Sequence, residues 1–444
     1  IYTNKVFSTA YRGFGHLETH WTIERQIDIL SQKLGIDPYE FRMKNLLEPG
    51  DKTMSGEVLT VSSGSPKDCL TAVVKEIGWT GRKSEEEREE EWKTGKVRGK
   101  GFAMLQKAPA MPANTATSVI MQMNGDGHVK MMIGAVDFGQ GAITALAQIA
   151  AQELDIPIEH IEISAEIDTR ANPYDWNTVA SKLIFLGGNA VIKASHEMLR
   201  KMKDVAGQAL RTDPENLLHA NGEIYHRHDP TRRLTYKDVA LGYMYPNGTG
   251  IGGPLIASGS SMADGLTNLH PETGQGNPAA VWTFGAHAVE IEVDVETGNV
   301  TVLKVASAFD IGQVINEKLV YGQICGGVLQ GLGSAVLEGY KFNSDVQLMN
   351  PSFTDNKIPT MKDIPLEIVP IYIENPQHNG PYGARGVGEH PMISVPSAIG
   401  NAVYDALGIN FHVLPLSPEA LVLGIQSGKK SILCTDVDCL PGLH

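Results

Sequence analysis

The sequence predicts an α+β protein built from two similar units, each a β-hairpin followed by a glycine motif and a helix. The chain has 444 residues, which is enough for two or three packed domains. Apolar residues alternate on both sides of two short turns, and helical apolar spacing follows each hairpin. The predicted segments are an N-terminal segment with a linker (1–100), a first unit (101–280), a second unit (281–426) and a C-terminal tail (427–444).

The N-terminal segment predicts two helices within residues 17–48. Gly35 ends the first helical pattern, and Asp37 and Pro38 then supply an N-cap and a first-turn proline for the second helix. Residues 81–97 are highly charged, which is typical of a solvated helix or a linker. The apolar residues that repeat at helical spacing in the first helix are Ile23, Ile27, Leu30 and Leu34.

The two hairpins lie at residues 119–133 and 289–305, with turns rich in Gly, Asn and Asp. A glycine motif at 137–141 leads from the first hairpin into a helix. The second hairpin leads through Asp310-Ile-Gly312 into a glycine-rich helix at 322–333. Because residue identity between the copies is low, the two units share an architecture rather than a sequence repeat.

Two further segments separate these units. Residues 195–219 predict a helix that ends near Asp213-Pro214. Residues 242–280 are rich in Gly, Pro, Ser and Asn and show little periodicity. A long irregular stretch of this kind predicts a functional or subunit-contacting loop.

Composition excludes several classes of protein. Lys and Arg number 37 against 51 Asp and Glu, so the net charge is −14, and binding of nucleic acid is not expected. The four scattered cysteines, Cys69, Cys325, Cys434 and Cys439, suit neither a disulfide framework nor an iron–sulfur site. No run of about 18 apolar residues predicts a membrane span, and the first residues, Ile1-Tyr-Thr-Asn-Lys, lack the apolar core of a signal peptide and an initiating Met. We expect a cytoplasmic protein whose first residue, Ile1, is a processed or truncated end.

Glycine is in excess, with 47 residues, and one of its clusters precedes a helix. Gly139-Gln140-Gly141 would place free backbone N–H groups and the positive end of the helix beside a ligand, which suits a phosphate or an oxyanion. The Gln140 amide could donate to an oxo group. The alternative is that these glycines only provide the geometry of a strand-to-helix turn.

Two other motifs contain charged residues among glycines. Glu389 follows a glycine turn at 383–388 and precedes an apolar helix, so it could act as a general base or merely complement the helix dipole. Arg12, within Tyr11-Arg-Gly-Phe-Gly15, could grip an anion or form a surface ion pair. His287 is predicted to be structural, and no metal-binding histidine spacing or hydrolase motif is present.

Taken together and in this order, five motifs resemble the molybdopterin-binding subunit of the xanthine dehydrogenase and aldehyde oxidoreductase family, the molybdenum hydroxylases. The motifs are YRGFG at 11–15, DFGQG at 137–141, TVAS at 178–181, GGVLQGLG at 326–333 and GARGVGE at 383–389. The resemblance covers about residues 5–425. It implies that the fold is that of the C-terminal molybdopterin-binding domains of this family.

The resemblance also implies roles for individual residues. Glu389 matches the catalytic base beside molybdenum, while Gln140 and Gln330 match glutamines that bind the oxo group and the pterin. Arg12 matches a residue of the segment that approaches the cofactor, Phe14 matches an aromatic residue that lines the substrate funnel, and Tyr11 is a further candidate for that funnel. Backbone that approaches the cofactor is implied at Gly13, Gly139, Gly141, Ala180, Ser181 and Gly388. No side chain is implied to ligate the metal directly.

The implied activity is hydroxylation of an N-heteroaromatic compound, purine-like or nicotinate-like, or of an aldehyde, with oxygen derived from water. Glu389 would accept a proton in that reaction, and electrons would pass to [2Fe–2S] and FAD groups on partner subunits. The implied cofactor is molybdenum–molybdopterin, whose nucleotide form, such as the cytosine dinucleotide, stays open. Two alternatives also stay open: a reductase of the hydroxybenzoyl-CoA reductase type, and a non-catalytic assembly subunit.

Several departures from the family pattern shape the expected assembly. The sequence has no GGGFG-type loop, so the chain is either a fragment or the second piece of a split subunit, as in nicotinate dehydrogenase, and the split is favoured. The expected partners are an N-terminal molybdenum half-subunit, an iron–sulfur subunit and an FAD subunit in a dimer of hetero-oligomers.

Two local departures from the family pattern concern contacts with the cofactor: His16-Leu-Glu18 replaces Gly-Pro-Gln, and Lys182-Leu183 follows TVAS. Asp175 and Trp176 are further candidates for the substrate funnel.

Overall fold

The computed structural model of the chain describes residues 10–108, 114–164 and 167–432. Its helices are α1 (His16–Leu34), α2 (Pro38–Asn45), α3 (Pro66–Glu76), α4 (Glu85–Trp92), α5 (Ala142–Leu154), α6 (Leu183–Leu210), α7 (Tyr236–Val239), α8 (Glu317–Val336), α9 (Val395–Leu407) and α10 (Pro418–Ser427). Most of the predicted tail lies outside the described residues, as do residues 1–9, Cys434 and Cys439.

The described strands form two four-stranded sheets and three smaller ones. They are β1 (Lys96–Lys107), β2 (Ala116–Met123), β3 (Val129–Ile133), β4 (Ile161–Ile163), β5 (Leu217–Ala220), β6 (Glu223–His226), β7 (Asp229–Thr235), β8 (Tyr243–Met244), β9 (Gly250–Ile251), β10 (Ile256–Met262), β11 (Thr283–Asp294), β12 (Val300–Asp310), β13 (Glu367–Ile373), β14 (Asn410–Phe411) and β15 (Ser431–Ile432).

The two four-stranded sheets repeat one topology. In the order β10-β2-β3-β4, the hairpin β2-β3 is followed by α5, and β4 returns parallel to β3. In the order β1-β11-β12-β13, the hairpin β11-β12 is followed by α8, and β13 returns parallel to β12. An antiparallel strand, β10 or β1, pairs with the first strand of each hairpin. The predicted α+β class with two hairpin-and-helix units is therefore confirmed.

The domain boundaries remain a prediction, but β1 crosses one of them. The boundary between residues 100 and 101 falls inside β1, and β1 pairs with β11 along its whole length, from Lys96 opposite Asp294 to Lys107 opposite Thr283. In chain order β1 therefore precedes the first sheet while it belongs to the second. The two units are joined through this strand.

One local prediction was wrong, and the bounds of one predicted helix differ. The segment 242–280 contains β10, which pairs with β2 and buries every second residue. The buried positions hold Ala257, Gly259 and Ser261, whose small side chains give no apolar alternation in the sequence. The predicted helix at 195–219 begins earlier, at Leu183, and ends at Leu210. The helices predicted in 17–48 and after both glycine motifs are confirmed, and α4 is the charged helix of 81–97.

Glycines allow helices to lie directly on the sheets. A Cβ at Gly99 would come within 2.1 Å of the Ala402 carbonyl oxygen in α9. A Cβ at Gly259 would come within 2.1 Å of the Ala190 carbonyl oxygen in α6. Any side chain there would push the helix away, so these glycines set the spacing between helix and strand.

Each large sheet has its own apolar core. The core of the β11 sheet lies under α8 and α9, and its other face packs on α3. The core of the β2 sheet lies under α5 and α6. Among the described residues, one helix, α8, is long and apolar enough to cross a membrane, with a mean hydropathy of 1.2. Its residues Ile324, Val328 and Leu332 are buried in the core of the β11 sheet.

Candidate cofactor and active site

Arg12 joins three distant parts of the chain. Its Nε donates to the carbonyl oxygen of Gly388 at 2.6 Å, and one terminal nitrogen donates to Gln330 Oε1 at 3.3 Å. The other terminal nitrogen donates to the carbonyl oxygen and to Oε1 of Gln323, both at 3.1 Å. The predicted residues Arg12, Gln330 and Gly388 thus meet at one place. The alternative of a surface ion pair for Arg12 was wrong, because its partners are neutral and belong to α8 and the 383–389 loop.

Gly13 allows the Arg12 segment to lie close to the start of α9. Its φ is +91°, and a Cβ would lie 3.3 Å from Ile393 Cγ1. The flanking aromatic residues point outward: Tyr11 is 51% and Phe14 is 73% exposed, as is Phe138 beside the other glycine motif. Burial of part of the Tyr11 ring raises its pKa, and a hydrogen bond with Gln330 opposes that shift. The site therefore has an exposed aromatic rim, which fits the predicted funnel position of Tyr11 and Phe14.

The loop that carries Glu389 packs against residues 180–181. A Cβ at Gly386 would come within 1.8 Å of the Ser181 carbonyl oxygen, so only glycine fits there. The Glu389 N–H donates to Ser181 Oγ at 2.9 Å. Ala180 and Ser181 both have positive φ, +58° and +56°. Such backbone costs about 1–2 kcal/mol per residue without glycine, and strain of this kind concentrates at functional sites.

A buried ion pair between Arg385 and Asp310 holds the loop that carries Glu389. Arg385 and Asp310 are both fully buried, and an Arg385 terminal nitrogen lies 2.5 Å from Asp310 Oδ1. Arg385 also donates to the Ser62 carbonyl oxygen at 2.6 Å, and Asp310 Oδ2 accepts from Ser65 N–H at 2.7 Å. The loop is thereby fixed to the end of β12 and to the segment before α3.

A second buried ion pair, between Lys182 and Asp175, supports residues 180–181. In the sequence, Lys182 departed from the family pattern and Asp175 was a candidate for the substrate funnel. Lys182 Nζ donates to Asp175 Oδ1 at 2.8 Å, and both side chains are at most 2% exposed. Thr117 Oγ1 donates to the same oxygen at 2.6 Å. The prediction that Asp175 lines the substrate funnel was therefore wrong, because its carboxylate is buried in this network. Burial lowers the pKa of Lys182, while the hydrogen bond with Asp175 opposes the shift.

Lys107, like Gln323, is a residue of the site that the sequence did not predict. Its Nζ forms an ion pair with Glu389 Oε2, and the Lys107 side chain is 2% exposed against 19% for Glu389. Burial lowers the pKa of Lys107 to about 7. The only sequence signal was a lysine at the inward-facing end of the apolar strand β1. That position is unusual for lysine, which is rarely fully buried without a partner.

Histidines surround this pair in neutral form. His20 Nδ1 lies 2.7 Å from the His16 carbonyl oxygen, so it donates, and His20 Nε2 then accepts from Gln106 N–H at 3.3 Å. Burial lowers the pKa of His16, and Lys107 lowers it further. Burial first, then Lys107, His16 and Arg12, hold the pKa of His390 well below its usual range. His16 and His390 therefore contribute no positive charge to this cluster near pH 7.

Gln140 is held in its own turn. Its amide nitrogen donates to the Val136 carbonyl oxygen at 3.1 Å, and its Oε1 accepts from Phe138 N–H at 2.8 Å. None of the hydrogen bonds within residues 10–108, 114–164 and 167–432 joins Gln140 to Arg12 or Glu389. The role of Gln140 toward an oxo group therefore stays a prediction.

The prediction of free N–H groups at the start of α5 was wrong. Asp137 Oδ1 accepts from Gly139 N–H at 2.9 Å and Gly141 N–H at 3.2 Å, and Oδ2 accepts from Ile143 N–H at 3.0 Å. Burial would raise the pKa of Asp137, but these hydrogen bonds outweigh burial and lower it. An intramolecular carboxylate therefore occupies the anion position that the sequence suggested for a ligand.

The glycine turn nevertheless lies near the helix that carries Gln330. A Cβ at Gly141 would come within 2.5 Å of Leu319 Cδ2 in α8. A Cβ at Gly139 would meet open space, as would one at Gly322 or Gly326 on α8. Next to Gln330 lies a cavity of about 440 Å³, lined mainly by apolar residues and by Glu338, whose pKa burial raises. Helix α8 therefore offers open backbone and two glutamines, Gln323 and Gln330, to one region.

Comparison with known families identifies this arrangement. One molybdopterin cofactor-binding domain profile matches residues 72–365, and a second matches residues 1–46. The chain belongs to the molybdopterin cofactor-binding family. The matched ranges contain Arg12, Gln140, Ser181 and Gln330, whereas Glu389 lies beyond them. The family resemblance seen in the sequence is confirmed.

Curated relatives agree with this assignment. The chain is 30% identical over 426 residues to the xanthine dehydrogenase molybdenum-binding subunit of Escherichia coli O157:H7, covering 95% of this chain and 54% of that protein. It is 30% identical over 437 residues to the nicotine 6-hydroxylase large subunit of Paenarthrobacter nicotinovorans, covering 95% and 51%. The chain thus spans about half the length of these relatives.

Solved structures support the same fold. The quinoline 2-oxidoreductase of Pseudomonas putida 86 matches with a TM-score of 0.79 at 25% identity, over 94% of this chain and 53% of that one. The aldehyde oxidoreductase of Desulfovibrio desulfuricans matches with a TM-score of 0.76 at 28% identity, over 95% and 42%. The predicted fold of the molybdenum-hydroxylase domains is therefore confirmed.

Proposed function

We propose that this chain is a catalytic molybdopterin-binding part of a molybdenum hydroxylase that acts on an N-heteroaromatic compound or an aldehyde. The observation that carries the proposal is the convergence of Arg12, Gln330, Ser181 and Glu389, which come from four distant segments of the chain. Relatives named as a nicotine 6-hydroxylase and a xanthine dehydrogenase subunit support the first substrate class. The aldehyde oxidoreductase structure supports the second.

The residues present fit a pterin-bound metal. A pterin needs planar hydrogen-bonding partners, and the Gln323 and Gln330 amides lie on one side of α8 beside Gly322 and Gly326, where a Cβ would meet open space. Among the residues that the structure describes, no group of three or more His, Cys, Asp or Glu could hold a metal ion. We expect the ligands of a metal in this site to come from its cofactor.

Within the reaction, the cofactor when bound would supply the redox chemistry and the oxygen that reaches the substrate. Glu389 would accept a proton at its carboxylate, as a general base must. The Ser181 hydroxyl holds the Glu389 backbone at 2.9 Å. Arg12 fixes the position of the preceding peptide through the Gly388 carbonyl oxygen. Tyr11 and Phe14, both exposed, would contribute apolar surface for an aromatic substrate.

The assembly belongs to the same proposal. We expect an N-terminal molybdenum half-subunit to complete the site, and iron–sulfur and FAD subunits to remove the electrons, in a cytoplasmic dimer of hetero-oligomers. The cofactor could carry a nucleotide such as the cytosine dinucleotide. Two alternatives are not favoured, a coenzyme A thioester reductase and a non-catalytic assembly subunit. The reason is that the chain has the carboxylate base Glu389 together with the motif glutamines Gln140 and Gln330.

The test begins with the complex purified through this chain. Molybdenum and pterin should be present, and a purine, a nicotinate-like compound or an aldehyde should be hydroxylated with oxygen from labelled water. Glu389→Gln should lower kcat by tens to hundreds of fold, or about 2–3 kcal/mol of barrier, because the base is lost. Glu76→Gln, on the surface of α3, is the matched control. A complex without molybdenum, or one in which Glu389→Gln keeps full turnover, would contradict the proposal.

A further inference from the structure

We propose that Lys107 is a positioning residue that keeps the Glu389 carboxylate ionised and fixes its orientation. This inference deepens the function proposed above and rests on it, since it concerns the residue assigned as the base. Neither the family profiles nor the names of the relatives assign a role to this lysine. It also lies far from Glu389 in the sequence, 282 residues away.

The position of Lys107 is set by the sheet. Lys107 is the last residue of β1 and lies opposite Thr283, the first residue of β11. Thr283 Oγ1 in turn donates to the Gly386 carbonyl oxygen at 3.5 Å, in the loop that carries Glu389. Two neighbouring strand ends therefore face one loop. Regular secondary structure therefore places the Lys107 amine beside the Glu389 carboxylate, and the Lys107 side chain is 2% exposed.

The charges that face Lys107 come from several elements. They are Glu389 from the loop, His16 from α1 and His390 from the residues after Glu389, and Arg12 from the N-terminal turn acts on the same His390. The pKa values of both histidines are lowered, so both are neutral near pH 7. Arg12 directs its donors to Gly388, Gln323 and Gln330. Lys107 is therefore the cation that directly pairs with the Glu389 carboxylate.

The physical consequence follows from the burial of the pair. A carboxylate with an opposite charge in contact titrates about 1–3 pH units lower than one without it. Removing one partner from a buried pair leaves the other charge uncompensated. Lys107 would thus keep Glu389 deprotonated and ready to accept a proton. Ser181 holds the backbone of Glu389 and Lys107 holds its side chain, so the base is fixed at two points.

The experiment compares Lys107→Met with Lys107→Arg in the purified complex. Infrared difference spectra against Glu389→Gln, taken at each pH, isolate the titration of the Glu389 carboxylate without requiring turnover. The pH profile of kcat/KM is measured in parallel. Lys304→Met is the matched control, because Lys304 lies on the same sheet in β12, is 22% exposed, and pairs with Glu76 of α3 and Glu367 of β13 away from the site.

We expect Lys107→Met to move the carboxylate titration and the acidic limb of the profile upward by about 1–3 pH units. Lys107→Arg should restore most of the shift, and Lys304→Met should cause none. A folded Lys107→Met complex with an unchanged titration would overturn the inference, as would an Arg variant that behaves like the Met variant. If Lys107→Met does not fold, Lys107→Gln takes its place. A shifted titration in a complex that hydroxylates no substrate would instead contradict the proposed function alone.

Discussion

The hydroxyl of Ser181 accepts a hydrogen bond from the backbone N–H of Glu389 at 2.9 Å, across 208 residues of sequence. Ser181 does this from a left-handed conformation, with φ at +56°, directly after Ala180 in the same conformation. The contact joins the TVAS and GVGE motifs into a single structural element. It also explains why a hydroxyl residue stands at 181 although glycine would suit the backbone better.

Substitution of Ser181 separates the hydroxyl from the backbone strain. Ser181→Ala should lower the free energy of unfolding by about 1–3 kcal/mol, because the Glu389 N–H loses its acceptor. Ser181→Gly loses the same acceptor but relieves about 1 kcal/mol of left-handed strain, so it should be the more stable of the two. Urea unfolding measures the order. An Ala variant as stable as the Gly variant would show that the backbone at 181 is unstrained.

Both Ser181 variants should also lower kcat/KM by fivefold or more, about 1 kcal/mol, because Glu389 is held less firmly. Ser260→Ala is the matched control, since the Ser260 hydroxyl is exposed and bonds only another serine, Ser118, at 2.9 Å. Unchanged kcat/KM in both Ser181 variants would show that the Ser181 hydroxyl is not needed to position Glu389.

The sequence predicted those features of the fold and the site that local patterns encode. Alternation around a turn predicted both hairpins, and the ordered motifs predicted the meeting of Arg12, Gln330 and the Glu389 loop. Strand β10 was missed because its buried face is made of Ala257, Gly259 and Ser261, which carry almost no hydrophobic signal. A strand whose inward side chains are small is recognised only from its partner β2 and the helix α6 that packs on it.

Two features of the site that the sequence did not predict depend on side-chain orientation: the position of the Asp137 carboxylate and the contact of Lys107 with Glu389. Asp137 stands before the glycine turn, and its sequence position does not reveal that its carboxylate folds back onto the N–H groups of Gly139 and Gly141. Lys107 reaches Glu389 only because β1 pairs with β11 and ends at the loop. Contacts between residues that are distant in sequence and belong to no recognised motif, such as that of Lys107 with Glu389, depend on the topology of the sheet.

Asp137 should stabilise α5 through both its hydrogen bonds and its charge. Asp137→Ala should lower the free energy of unfolding by about 0.5–2 kcal/mol, and Asp137→Asn, which can still accept a hydrogen bond, by about 0.3–1 kcal/mol. The pKa of Asp137 is lowered in the folded protein. The stabilisation is therefore present above the ordinary carboxyl pKa and is lost as the pH falls through the lower folded pKa.

Denaturant unfolding of wild type and Asp137→Asn across pH 7 to 3 checks this prediction. The difference between them should stay constant down to about pH 4 and shrink below it. A difference that is independent of pH would show that the charge of Asp137 contributes nothing. If the N–H groups are able to bind an anionic ligand once the Asp137 charge is removed, added inorganic phosphate should raise the free energy of unfolding of the Asp137→Asn variant.

The buried pair of Lys182 and Asp175 predicts a strong asymmetry between single and double variants. Lys182→Met leaves the Asp175 carboxylate buried without its cation, which should cost about 3–5 kcal/mol. The double variant Lys182→Met with Asp175→Leu should recover most of that loss, because no buried charge remains. Arg200→Met is the control: Arg200 pairs with Asp204 on the surface at 63% and 45% exposure, and its loss should cost no more than about 0.5 kcal/mol.

The readout is a double-mutant cycle by denaturant unfolding, with the kcat of each folded variant. Lys182 immediately follows Ser181, so the double variant also asks whether the charged pair is needed to hold the 180–181 backbone. If the double variant recovers stability but not kcat, the Lys182–Asp175 pair is needed for the correct geometry of the site. A loss in the double variant equal to the sum of the losses of Lys182→Met and Asp175→Leu would mean that the two side chains do not interact in solution.

His287 predicts a specific sensitivity of the fold to acid. His287 is completely buried on β11, its Nδ1 lies 2.8 Å from Ser394 Oγ, and burial lowers its pKa to about 3. In the unfolded chain a histidine has a pKa of about 6.5, so the unfolded state binds a proton first as the pH falls. The contribution of His287 to stability is therefore intact above pH 6.5 and declines between pH 6.5 and 3.

Over the step from pH 7 to 5 this single residue should remove about 2 kcal/mol from the free energy of unfolding, since each pH unit below the unfolded pKa costs about 1.4 kcal/mol. His287→Gln keeps a hydrogen-bonding group next to Ser394 but has no titrating ring, so its unfolding free energy should change less over the same step. The difference between the two slopes isolates His287 from the other titrating groups. Parallel pH dependences would show that the pKa of His287 is the same in the folded and the unfolded protein, so that burial does not lower it.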